Sequence, residues 1–192
     1  MSISYPSECG YLHPILTSKE SQAFESGLFG GDEALEWRGM NHAGRSIANQ
    51  ALLDIQEILG DGLIQHLLLL AGKGHNGGDA IIAARHLISR FPNTKVKIIF
   101  PSGLSRLRPL VQRSLDALQI AFGNQIKYLS LRGGSTDAIY AQILEFVGSE
   151  AYELCLDGIL GMQFKPPLRS PIKELIECIN GLESILCRIA VD

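Results

Sequence analysis

The stretch Gly72-Lys73-Gly74-His75-Asn76-Gly77-Gly78-Asp79 follows the apolar run Leu67-Leu68-Leu69-Leu70-Ala71 and leads into an amphipathic segment. Glycines let backbone approach a ligand closely, and the N–H groups at a helix start, with its dipole, favour negative charge, so this junction points to phosphate binding. Gly72, Gly74 and Gly77 satisfy G-x-G-x-x-G, a weak pattern alone. Gly-Lys-Ser/Thr does not close the loop, so it is not a P-loop. A dehydrogenase-type fold needs an acid about 20 positions on, at the end of the second strand. That strand reads Lys95-Val96-Lys97-Ile98-Ile99-Phe100-Pro101, and no Asp or Glu lies between Asp79 and Asp116. Asn76 and Asp79 instead put an amide and a carboxylate at the expected helix mouth. The alternative is a tight turn with Asp79 as an N-terminal cap.

Two more carboxylates close apolar strands: Asp157 after Glu153-Leu154-Cys155-Leu156, and Asp192 after Ile185-Leu186-Cys187-Arg188-Ile189-Ala190-Val191. In open α/β sheets ligands sit beyond the carboxyl ends of the strands, so Asp79, Asp157 and Asp192 are expected on one rim with the glycine loop. Residues 158–167 form a second loop, in which Gly161 and Lys165 are placed to close over a ligand. Its plainer reading is an ordinary connection with a surface lysine.

The elements that position these residues follow from periodicity. Thr17 and Glu20 have capping-box spacing and predict a short helix, broken by Gly27, Gly30 and Gly31. A longer helix over Glu33 to Leu59 turns Leu35, Ala43, Ile47, Leu52, Ile55 and Ile58 toward a core. Strands are then predicted at 66–71, 95–100, 126–131, 153–157 and 184–191. Helices near 79–90, 104–121, 136–147 and 171–180 lie between them, the last with Pro171 at its first position. This alternation implies right-handed crossovers and a three-layer α/β/α, Rossmann-like domain with a mostly parallel sheet and a helical N-terminal extension. An arm covers 1–15 and the domain 16–192.

The 192 residues suit one domain, and 46% apolar with 19% charged residues are ordinary for a globular enzyme. A net charge of −3 gives no general reason to expect nucleic acid. Locally, Arg85, Arg90, Lys95, Lys97, Arg106, Arg108 and Arg113 form an acid-free basic run, read first as a solvated face and second as favouring a phosphate-rich ligand or RNA. Cys9, Cys155, Cys178 and Cys187 show neither C-x-x-C nor metal-ligand spacing, which predicts reduced thiols. The N-terminus lacks a signal-peptide pattern, and Leu67 to Ala71 is too short to span a bilayer, so a cytoplasmic protein without membrane contact is expected.

At these residues the chain resembles the NAD(P)H-hydrate epimerase family, the N-terminal domain type of bifunctional nicotinamide nucleotide repair proteins. The family's Gly-x-Gly-Asn-Asn-Gly-Gly-Asp-Gly is similar to residues 72–80, and its Val-Asp-Ala-Leu-Phe-Gly to Leu156-Asp157-Gly158-Ile159-Leu160-Gly161. Pro167-Leu168-Arg169-Ser170-Pro171 matches its Pro-Leu-Arg-x-Pro, and Phe164-Lys165 the Phe-Lys of animal members. Leu16-Thr17 and Met40-Asn41-His42-Ala43-Gly44 also resemble family segments, and Val191-Asp192 begins Val-Asp-Ile-Pro-Ser-Gly. Lys73, His75, Asn41-His42 and Met162-Gln163 depart from the pattern. The chain reads as cut short at its C-terminus.

The resemblance implies a metabolite-repair isomerase that interconverts the R and S forms of NADH or NADPH hydrated at ring carbon 6. It places His75, Asn76, Gly77, Gly78, Asp79, Gly161, Met162, Gln163, Phe164, Lys165, Pro166, Pro167 and Asp192 around the nucleotide. It places a potassium ion on Asn76 and Asp157. Asp192 and Lys165 become the candidates for proton transfer, since epimerising a hemiaminal carbon requires protonating a leaving hydroxyl and deprotonating an incoming water. A small-molecule substrate is the expected partner, and a homodimer stays open. Two alternatives remain: a non-catalytic module of the same fold that binds RNA or a protein, and the first part of a bifunctional epimerase and dehydratase.

Overall fold

A computed structural model describes residues 17–60, 62–161 and 164–191. The arm over 1–15, Leu16, Cys9, Met162, Gln163 and Asp192 lie outside these residues.

Helix α1 (Ser18–Phe29) starts from the expected capping box, in which the Thr17 N–H donates to Glu20 Oε2 at 2.7 Å. Helix α2 (Glu33–Leu59) is capped by Asp32, whose side chain accepts from the N–H groups of Ala34 and Leu35. Its buried stripe is Met40, Gly44, Ala48, Ala51 and Ile55, at the 3.6-residue period. Leu35 and Ile58, expected to face the core, are exposed near its two ends. A Cβ on Gly44 would sit 2.6 Å from Ile82 Cβ, so α2 lies close along the next helix as part of one layer.

The remaining elements are β1 (His66–Ala71), α3 (His75–Arg90), β2 (Lys95–Phe100), α4 (Pro109–Phe122), β3 (Ile126–Ser130), α5 (Thr136–Val147), β4 (Tyr152–Gly158), α6 (Ile172–Asn180) and β5 (Ile185–Ala190). The five strands pair in parallel in the order β3-β2-β1-β4-β5. Leu67, Leu69 and Ala71 belong to the core under α2, α3 and α4, whereas Leu68 and Leu70 meet Ile139, Ile143 and Leu175 from α5 and α6. Because β1 is covered on both faces, its sequence is a continuous apolar run rather than an alternation.

Three helix starts differ from expectation. Helix α3 begins at His75, four residues before Asp79, with Gly74 as an N-cap that makes no side-chain bond. Asp79 is therefore neither a cap nor at the helix mouth. Helix α4 begins at Pro109, after a 3-10 turn over Leu104–Arg106. Arg108 precedes proline and holds φ −70° and ψ 155°, as the proline ring disfavours a helical residue before it. Helix α6 begins at Ile172, with Pro171 at the cap rather than the first turn.

Candidate active site

The carboxyl ends of β1 and β4 are neighbours, and the loops that leave them are fastened together. The Gly72 N–H donates to the Gly158 carbonyl at 3.0 Å. A Cβ on Gly72 would sit 2.1 Å from the Ile159 carbonyl oxygen, so the backbones touch and only glycine fits. A Cβ on Gly77 would in turn lie 2.1 Å from the Gly72 carbonyl oxygen. Gly78 is also buried and faces Met40 Sδ of α2, at 2.7 Å from its Cβ position. These two glycines let α3 sit tightly on the loop and on α2. Their N–H groups donate to the Gly74 carbonyl, and a helix start of this kind favours negative charge. At Gly74 a Cβ would meet nothing within 4 Å.

Asn76, in the first turn of α3, joins three loops. Its Nδ2 donates to the carbonyl of Leu160 at 3.0 Å, beyond β4, and to that of Val191 at 2.6 Å, beyond β5. Its Oδ1 lies 2.8 Å from where a Cβ on Gly161 would sit, which explains the glycine there. An aspartate could not donate these bonds, so the amide is a geometric requirement. Val191 is held from its other side as well, since its N–H donates to the Asp157 carbonyl at 2.8 Å.

Asp157 is half-buried, and its Oδ1 accepts from the Ile159 N–H at 2.9 Å. Burial pushes its carboxyl above the ordinary value, opposed by that N–H. Asp157 and the Asn76 amide supply oxygen donors on one rim, the donor type that hard cations take. Among the described residues there is no group of three or more His, Cys, Asp or Glu able to hold a metal.

Asp79 differs from Asp157. One turn into α3, its Oδ1 is buried without a hydrogen-bond partner. Burial first, and the Glu25 carboxylate of α1 second, push its pKa up to about 7. Sequence reasoning missed this, because the helix was expected to start at Asp79.

His75, Phe164, Lys165, Pro166 and Pro167 are exposed on the same rim. The Phe164 N–H donates to the Gly161 carbonyl at 2.9 Å and turns the second loop back on itself. Lys165 makes no hydrogen bond or ion pair with a described residue, so the structure does not join it to Asp157 or Asn76. Met162, Gln163 and Asp192 lie outside the described residues. A cleft of about 430 Å³ lies elsewhere, lined by Lys97, Lys127, Leu129, Gln142, Glu145 and Phe146. The Lys97 ammonium there already donates to the Val147 carbonyl and to Glu150, at 2.9 and 3.0 Å, so the cleft is the weaker candidate.

A family model described as YjeF-related protein N-terminus matches residues 38–192. A protein of Elusimicrobium minutum named NAD(P)H-hydrate epimerase is 30% identical over 182 residues, covering 92% of this chain and 73% of that protein. One of the same name from Rhodopirellula baltica is 31% identical over 153 residues, covering 80% and 53%. The crystal structure of yeast ynu0 superposes with a TM-score of 0.69 at 25% identity, covering 94% of this chain and 70% of that chain. The chain spans about half the length of several curated relatives it matches.

Proposed function

Because the chain belongs to the family of YjeF-related protein N-termini, we propose that it interconverts the R and S epimers of hydrated NADH and NADPH. The observation that carries this reading is the Asn76 bridge, which draws the glycine loop, the loop after β4 and the end of β5 into one rim. A nucleotide would sit there with its pyrophosphate at the start of α3 and its hydrated ring toward Asp157 and the end of β5.

Epimerisation breaks the bond between ring carbon 6 and its hydroxyl, which leaves as water after taking a proton. Water then adds to the other face and gives a proton up, so the composition is unchanged. Asp192 directly follows Val191, which the rim holds at both its N–H and its carbonyl, and is our candidate for one transfer. Lys165, in the facing loop, is the other. A potassium ion on Asn76 and Asp157 would offset part of the pyrophosphate charge. The free thiols of Cys155, Cys178 and Cys187 fit a cytoplasmic setting. No helix among the described residues is long and apolar enough to cross a membrane.

The basic run, one of the two grounds for reading an RNA-binding module, is dispersed in the fold. Arg85 donates to Asn41 Oδ1, Arg113 lies 4.2 Å from the Trp37 ring centroid, and Lys97 pairs with Glu150. Arg90 ends α3, and Lys95 opens β2 at the amino ends of the strands, opposite the rim.

The test incubates the protein with one epimer and follows the other by chromatography. Exchange is expected, slowed by at least about two orders of magnitude in Asp192→Asn or Lys165→Met. No exchange by the parent would overturn the proposal, whereas brisk exchange by Asp192→Asn would overturn only that assignment.

A further inference from the structure

Two members of the basic run remain unaccounted for, Arg106 and Arg108. Both lie between β2 and α4, on the same rim as the glycine loop. Since β1 and β2 are neighbours, the loops that leave them are adjacent, and the Arg108 N–H donates to the Lys73 carbonyl at 3.2 Å. Lys73, Arg106 and Arg108 are exposed, and none is in an ion pair among the described residues. The rim is therefore divided in charge: cations follow β1 and β2, and Asp157 lies next to the end of β4. Where an acid would read an unphosphorylated ribose, β2 ends in Phe100, and Pro101 leads on to arginines. In dinucleotide folds an acid at this place bonds the ribose hydroxyls, and an arginine accommodates a 2′-phosphate.

Resting on the epimerase reading above, we propose that Arg106 and Arg108 form a subsite for the 2′-phosphate of the substrate's adenosine, so that hydrated NADPH is preferred over hydrated NADH. The strand order supports this placement. The pyrophosphate takes the start of α3, directly after β1, and the loop after β2 lies one strand further out, where the adenosine ribose falls. Guanidinium suits the task, as its planar fork matches a phosphate in two bonds and keeps its charge at all relevant pH. Lys73 adds a point charge beside it.

NADP and NAD serve as probes, with dissociation constants measured by calorimetry at fixed ionic strength. The parent is expected to bind NADP at least about tenfold more tightly, the worth of one good charge-assisted contact. In Arg108→Ala, and more so in the Arg106→Ala/Arg108→Ala pair, that ratio falls toward one. Alanine at 108 keeps the N–H that holds Lys73, and Arg108→Gln provides a longer side chain if alanine lowers stability. Lys95→Ala, an equal loss of charge at the opposite, amino end of the strands, leaves the ratio unchanged. Equal affinities in the parent, or an equal loss of NAD and NADP affinity in the variants, would overturn the subsite, the latter assigning the arginines to the pyrophosphate. Failure to bind either nucleotide, together with no epimer exchange, would overturn the epimerase reading as well. Exchange without preference would overturn the subsite alone.

Discussion

Asp79 shows how one carboxyl can tie stability to pH. With its pKa pushed up to about 7 from 3.8, the folded protein keeps a proton there that the unfolded chain has released. Its contribution is therefore largest below about 3.8, declines as pH rises to about 7, and is flat above. In Asp79→Asn this component is absent. Parent and variant should differ in the slope of denaturant midpoint against pH by an integrated amount on the order of 2 kcal/mol, after allowance for partial access to solvent. Parallel profiles would show that water or a neighbouring group satisfies the carboxylate.

Among the elements, the α3 start carries the most consequence. A helix opening His75-Asn76-Gly77-Gly78 is intrinsically poor, since each glycine costs about 1 kcal/mol relative to alanine. It forms because those positions allow contact distances that no side chain would. Gly77→Ala should therefore destabilise the fold by about 1–3 kcal/mol, by forcing a Cβ against the Gly72 carbonyl. Gly74→Ala, at φ −101° with nothing within 4 Å, should change stability by less than about 0.5 kcal/mol. Urea unfolding of both variants distinguishes them, and equal losses would contradict the packing argument. Any NADP affinity lost in Gly74→Ala then reports on the ligand rather than on the fold.

At the scale of the molecule, ligand binding should appear as thermal stability, because the rim joins the loops after β1, β4 and β5. A ligand at 100 times its dissociation constant adds about 2.7 kcal/mol to the folded state. For a domain of this size that corresponds to a Tm increase of about 5–10 °C. The increase with NADP should be larger in potassium than in sodium at equal ionic strength, and the difference should vanish in Asp157→Asn. A shift of the same size in both salts would remove the cation from the rim.

Apolar periodicity by itself determined the five strands, the helices between them and the parallel α/β class, because burial on two faces leaves runs such as Leu67 to Ala71 and little else. Motif order likewise marked Gly72 to Asp79, Asp157 and the loop to Pro167 as the places to look, and a proline rule applied to Arg108-Pro109 would have set the start of α4. Other features depended on chain segments far apart in sequence. Only the tertiary structure showed that Gly77 and Gly78 are packing positions, since what a Cβ meets there is Gly72 and Met40. It alone turned Asp79 inward toward α1 and used the Asn76 amide to fasten Leu160 and Val191. It also divided the basic run into arginines with partners and arginines facing the rim. Local sequence records a residue's intrinsic preference and period, whereas a clash, an unpaired oxygen or a bridging amide is defined by what the folded chain brings beside it.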